Sequence, residues 1–145
     1  MNLKETVAEK ESQTFINLGI VLNSKGEVLV IKRKKLEKGK DKAVLSWAFP
    51  GGKQKFAESR KKCVEREVLD ETGYQISADK EISLRIHPEF PVTVVYHLCH
   101  LEKLKPVAEP KEPWEVEKIC WVKPEQIRKI FTSNLDSKVA EELKI

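Results

Sequence analysis

Three cysteines in 145 residues, Cys63, Cys99 and Cys120, leave at least one unpaired, and no two of them stand in CxxC spacing. A disulfide-stapled scaffold and a zinc site are both disfavoured, and the thiols are expected to be reduced. No apolar run comes near the roughly 20 residues that a membrane-spanning helix needs. The opening residues, MNLKETVAEKESQ, carry no apolar centre of the kind a secretory leader has, so a cytoplasmic location is expected. The excess of one charge sign is small too: 27 Lys and Arg against 23 Asp and Glu leave a formal net charge of only +4. Such a balance suits small anionic ligands and makes no strong case for nucleic acid. Internal repeats and low-complexity tracts are missing, which removes solenoid and fibrous architectures.

What is present is a globular composition, 40% hydrophobic and 34% charged, long enough for one domain with its own core. Residues 1–14 are polar and charged and are expected to form a flexible arm or a short helix at the edge, leaving 15–145 as the single domain. Two β segments, 15–22 (FINLGIVL) and 27–34 (EVLVIKRK), flank the turn cluster Asn23-Ser24-Lys25-Gly26 and predict a hairpin. Residues 32–42 are basic and contain a glycine, so a solvated loop is expected there, with Arg33 set apart because it ends the strand. β-Branched and aromatic residues predict strands at 92–101 (VTVVYHLCHL), 81–86 and 119–122. His97 and Cys99 share a face of the first of these and are expected in packing, since two residues make no metal site. Pro124 opens a helix at the position where proline is tolerated. Residues 135–143 predict a closing helix, with Asn134 or Asp136 as its cap. The mixed order of strands and helices puts the chain in the α/β class.

The stretch that organises the rest is 47–74, WAFPGGKQKFAESRKKCVEREVLDETGY. Pro50-Gly51-Gly52 makes a turn bare of side chains, where backbone can come close to phosphate. A helix-forming segment follows, carrying Glu58, Arg66, Glu67, Asp70 and Glu71, and Gly73 stands where a helix end favours a left-handed residue. Glu67, Asp70 and Glu71 are i, i+3 and i+4, hence on one narrow face. Like charges at that spacing repel, so stability gives no reason to gather them. A hard divalent cation does, because Mg²⁺ takes oxygen ligands, commonly carboxylates together with substrate phosphates. Val64 and Val68 sit beside that face and are expected to pack on a sheet while the acids stay open.

The spacing G-x5-E-x7-R-E-U-x-E-E-x-G-U, met here by Gly52, Glu58, Arg66, Glu67, Val68, Asp70, Glu71, Gly73 and Tyr74, resembles the signature box of the Nudix hydrolases. Asp70 stands where that family usually has Glu, and Ala57 where a Gly often precedes the first Glu. The resemblance implies an α/β/α sandwich with a mixed β-sheet over most of residues 15–143. It also implies a hydrolase that cleaves nucleoside diphosphates linked to a further group X. Its cofactor would be Mg²⁺ or Mn²⁺, held by Glu67, Asp70 and Glu71, with Glu115 favoured over Glu112 and Glu117 as a ligand from a later loop. Catalysis falls to Glu67 as general base, Glu71, and Arg66, which orients Glu67 or Glu58. The implied substrate-binding residues are Arg33, Gly51, Gly52, Lys53 and Glu58, with Arg33 and Lys53 on phosphates.

Phe49-Pro50-Gly51-Gly52-Lys53 is closer to MutT-like enzymes than to the ADP-ribose or dinucleoside polyphosphate types. A (d)NTP pyrophosphohydrolase releasing nucleoside monophosphate and pyrophosphate is therefore the expected activity. Those other two types, and a non-catalytic nucleotide-binding module, stand as alternatives. Asn134 is a base contact or the helix cap, and Trp47, Phe90 and Trp114 either stack on a base or serve packing. The partner is then a small-molecule nucleotide, with neither membrane nor nucleic acid expected and the oligomeric state left open.

Overall fold

The computed structural model describes residues 11, 12 and 14–145. The arm expected over residues 1–14 lies mostly outside them. Within it, Glu11 accepts hydrogen bonds from Arg60 Nη2 at 2.8 Å and from Gln54 Nε2 at 2.7 Å. Among the described residues no helix is long and apolar enough to cross a membrane.

Among the described residues the strands are β1 (Phe15–Leu22), β2 (Val28–Lys38), β3 (Val44–Ala48), β4 (Gly51–Lys53), β5 (Ile76–Ile86), β6 (Thr93–Leu101) and β7 (Val116–Val122). The helices with both ends among the described residues are α1 (Arg60–Thr72), α2 (Pro124–Ile130) and α3 (Ser137–Leu143). β1 is central. It runs antiparallel to β2 and β4 and parallel to β6 over its whole length, from Phe15 opposite Thr93 to Leu22 opposite His100. The path across the sheet is β3-β2-β1-β6-β5, with β4 also on β1 and β7 also on β2. This is the mixed sheet expected.

Neighbouring residues of a strand point to opposite faces, and Ile20 and Val21 show what that divides. Val21 joins Leu29, Val64 and Val68 in the core beneath α1. Ile20 joins Val28, Val30, Ile127, Val139 and Leu143 in the core beneath α2 and α3. The result is an α/β/α sandwich. Val64 and Val68 are fully buried, as their spacing predicts, and each contributes about 1.5–3 kcal/mol by leaving water. That anchorage leaves the opposite side of α1 open.

Several boundaries differ from expectation. β2 continues to Lys38 through half of the expected basic loop, because Glu37 and Lys38 pair with Leu45 and Val44 of β3. Gly51–Lys53, expected as a turn, pairs with Ile16, Asn17 and Leu18 of β1. β5 begins at Ile76 rather than 81 and β7 at Val116 rather than 119, each start fixed by its partner strand. The last helix is capped by Asp136, whose carboxylate accepts from the Lys138 and Val139 N–H groups. Asn134 is therefore not the cap.

Candidate active site

α1 is held at both ends. Ser59 Oγ accepts from the Lys62 N–H at its start, and Gly73, in the left-handed region at φ 80°, closes it. The acid-bearing face looks towards β4, where the absence of side chains matters. A Cβ on Gly52 would stand 2.6 Å from the Glu67 carboxyl carbon, so only glycine leaves that carboxylate where it is. The Gly51 N–H donates to Glu71 Oε1 at 3.1 Å.

Arg66 is the hub that locks the carboxylates in place. Its Nε and Nη2 donate to the two oxygens of Glu58 at 2.6 and 2.9 Å, and its Nη1 donates to Glu67 Oε1 at 2.6 Å. Nη2 also reaches the Lys53 carbonyl at 3.3 Å, and Nη1 lies 3.8 Å from Asp70 Oδ2. Both partners expected for Arg66 are thus present. The guanidinium, with help from the Lys55 N–H, holds the Glu58 carboxyl down at about 2. Glu58 sits in the turn before α1, not on the helix, and lines neither of the cavities described below. Both its oxygens accept hydrogen bonds, Oε2 from Arg66 and Oε1 from Arg66 and the Lys55 N–H.

Sequence reasoning missed what holds that turn. Gln54 is buried and accepts from Asn17 Nδ2 at 2.8 Å, while its own Nε2 donates to the Glu58 carbonyl at 3.0 Å. Asn17 Oδ1 is in turn 2.8 Å from His97 Nε2. The available signal was alternation in β1, which puts Asn17 on the inward face with Val21. Ala57 adopts φ 61°, so the left-handed turn survives without glycine at a cost of about 1–2 kcal/mol.

Two cavities meet at this helix. The first, of about 240 Å³, is acidic: Glu67, Asp70, Glu71, Glu112 and Glu115 line it together with Arg66 and Lys111. Glu115 arrives on the short turn Pro113–Glu115, and the neighbouring Glu112 is raised by its contact with Glu115. Glu117 is elsewhere, paired with Lys32 at 3.4 Å. The second cavity, of about 180 Å³, is mostly apolar, walled by Ile16, Leu18, Phe49, Phe90 and Phe131, with Arg33 and Asn134 also in its lining. Gly51, Gly52 and Glu71 line it as well, so Glu71 belongs to both. Trp47 packs against the core, and Trp114 is exposed outside both cavities.

Of the two expected phosphate contacts, Arg33 reaches the second cavity, where Glu37 lies 3.6 Å away and the guanidinium draws the Glu71 carboxyl down. Lys53 is opposite Ile16 and on its face, but it is exposed and outside the lining. Among the described residues no group of three His, Cys, Asp or Glu forms a ready-made metal cage. Mg²⁺ seldom uses one. It takes one or two carboxylates and fills its remaining positions with water and substrate phosphates. Five carboxylates on one cavity, with a bare-backbone strand beside them, fit that mode of binding.

The Glu71 carboxyl is pushed up to about 7, chiefly by burial, with Glu67 and Glu115 adding to it and the Gly51 N–H and Arg33 opposing. Its ordinary value is 4.5. Between those two values the folded protein holds a proton that the unfolded chain does not. In metal-free buffer, stability from this group is therefore greatest below 4.5 and falls as pH rises to about 7, by roughly 3 kcal/mol. Glu58 acts in a lower window and with opposite sign: its contribution is lost as pH falls towards 2. Thermal melts in chelator across pH 4.5–7 check the first effect. Glu71→Gln should lose this part of the decline, and parallel curves for the two proteins would sink the assignment.

Comparison with known proteins gives the following. The NUDIX domain family model matches residues 17–143. A protein of Bacillus subtilis (strain 168) named "Putative 8-oxo-dGTP diphosphatase" is 35% identical over 71 residues, which are 49% of this chain and 42% of that protein. The match thus spans less than half of that relative's length. A solved MutT protein from Methanosarcina mazei Go1 is similar with a TM-score of 0.63 and 24% identity over 90% of each chain. A solved ADP-ribose pyrophosphatase from Streptococcus suis 89-1591 is similar with a TM-score of 0.65 and 20% identity, again over 90% of each chain. At these identities the two structures speak to the fold alone.

Proposed function

The chain belongs to the NUDIX domain family, and from that membership we propose that it is a metal-dependent hydrolase of nucleoside triphosphates, acting in the cytoplasm. The observation that carries this reading is the shared wall of the two cavities. Glu71 lines both an apolar chamber suited to a nucleoside, where Gly51 and Gly52 lie beside it, and an acidic chamber suited to a cation-neutralised phosphate chain. The name of the Bacillus subtilis relative supports the same substrate class.

A divalent ion, held by carboxylates drawn from Glu67, Asp70, Glu71 and Glu115 together with water and the phosphates, would supply charge neutralisation and Lewis-acid polarisation. The chain's own residues do the rest. The apolar chamber, walled in part by Phe49, Phe90 and Phe131, receives the base, and Asn134 offers its amide N–H groups, its oxygen being taken by Arg85 at 2.6 Å. Arg33 holds a phosphate by charge-assisted hydrogen bonds. Gly51 and Gly52 let the chain pass close to backbone. Glu67, fixed by Arg66, takes the proton of the attacking water. Water adds to one phosphorus and the anhydride P–O bond breaks, giving nucleoside monophosphate and pyrophosphate.

A substrate panel tests this: (d)NTPs including 8-oxo-dGTP, ADP-ribose and a dinucleoside polyphosphate, each with Mg²⁺ or Mn²⁺, with products separated by chromatography. Triphosphates should give monophosphate and pyrophosphate, and only with metal. Inert triphosphates beside rapid conversion of ADP-ribose to AMP and ribose phosphate would move the substrate class. No cleavage of any of them would leave a nucleotide-binding module.

A further inference from the structure

The two cations that line the acidic cavity differ in how their charge is used. Arg66 is saturated by Glu58, Glu67 and the Lys53 carbonyl. Among the described residues Lys111 has a single ion pair, Nζ to Asp70 Oδ1 at 3.2 Å, and its side chain is 73% exposed. Backbone, not that ion pair, sets its position. Residues 102–115 are stitched along the end of α1 by the Val107 N–H to the Gly73 carbonyl and the Lys111 N–H to the Asp70 carbonyl, both 2.8 Å. The ammonium therefore hangs at the cavity on a flexible four-carbon stem, free to turn without any movement of the loop. An exposed single ion pair gives little stability, so stability does not account for a lysine delivered to a chamber of acids.

We propose that Lys111 is a phosphate ligand, paired with Asp70 while the chamber is empty and turned to the phosphate chain once a divalent cation shares that carboxylate. The proposal rests on the triphosphate reading of the site. Its logic is charge competition: an ammonium and a divalent cation repel and seek the same Asp70 oxygens. The displaced ammonium then stands beside the anion the chamber admits, and lysine binds phosphate well as a point charge. The ligand class is a chain of linked phosphates, with or without a nucleoside.

Titration calorimetry with Mn²⁺ alone, and with inorganic tripolyphosphate in the presence of Mn²⁺, tests this on the full chain. Lys111→Gln should bind Mn²⁺ about twofold tighter, having lost a like charge. It should bind tripolyphosphate about tenfold more weakly, having lost a charged hydrogen bond. Turnover on the best nucleotide should show a KM raised by a similar factor at little-changed kcat, the pattern of lost uniform binding. Lys111→Arg should recover much of the tripolyphosphate affinity, and Lys105→Gln, on the same loop but outside the cavity, should change neither titration. Unchanged tripolyphosphate affinity in Lys111→Gln overturns the proposal. So do a parent that binds no tripolyphosphate and an equal loss in Lys105→Gln. A parent that binds tripolyphosphate through Lys111 yet cleaves no nucleotide would instead remove the proposed reaction and leave Lys111 in its role.

Discussion

Gly52→Ala should lower turnover by about a hundredfold while the protein stays folded. The added Cβ would lie 2.6 Å from the Glu67 carboxyl carbon and 3.1 Å from its Cγ, so the carboxylate has to shift. Moving the end of a flexible side chain costs about 1 kcal/mol or less, at or under the low end of the usual overpacking range of ~1–3 kcal/mol. Gly52 does not have a positive φ, so alanine adds no backbone strain. The chemistry is less forgiving, since a displacement near 1 Å at a reacting group can cost on the order of 10²-fold in rate. Gly51→Ala supplies the contrast. There φ is +152° and a Cβ would meet the Leu18 backbone at 2.8 Å, so the sheet itself is disturbed. Melts and turnover measured together should show a lowered Tm for Gly51→Ala and a nearly parental Tm for Gly52→Ala. Parental turnover in Gly52→Ala would mean that the position of Glu67 is immaterial.

Glu67→Gln removes charge without changing shape, and its effect should be larger still. Loss of a general base lowers kcat by about 10²–10⁴-fold. Arg66 Nη1, now 2.6 Å from Glu67 Oε1, keeps a carbonyl acceptor, so the hub survives. Relief of repulsion with Asp70 and Glu71, about 0.2–0.5 kcal/mol per close pair, should hold or slightly raise the metal-free Tm. In the parent, Mn²⁺ at a hundred times its Kd should add about 2.7 kcal/mol of stability, and the variant should gain less at the same concentration. A merely structural Glu67 predicts a lower metal-free Tm, no response to metal in either protein, and activity that follows the folded fraction.

The parts legible in the sequence were those whose geometry is local. Glu67, Asp70 and Glu71 share a face because three and four residues make one helical turn, and Gly73 closes the helix for an equally local reason. Strand pairing is not local. Pro50, Gly51 and Gly52 have poor strand propensity, yet Gly51–Lys53 pairs because β1 offers it open backbone groups. Lys38 extends β2 only because β3 returns beside it. The buried Asn17, Gln54 and His97 were invisible as a set, since their positions in the chain say nothing of their mutual distances. Lys111 was hidden differently. One lysine in a charged, proline-rich loop looks like any other until the loop is placed.

The register that sets Phe15 opposite Thr93 and Val28 opposite Val122 also orders events in time. Pairings so distant along a chain carry a loop-closure entropy that opposes them, and sheets built from them fold slowly. A nascent chain that has released residues 47–74 already holds the entire signature and still has no site. β1 lacks β6, β2 lacks β7, and Glu115 has not been released. At that moment α1 is a solitary 13-residue helix, near the length at which helices are marginal in water. Competence for chemistry arrives with the closing of the sheet, long after the residues that announce it.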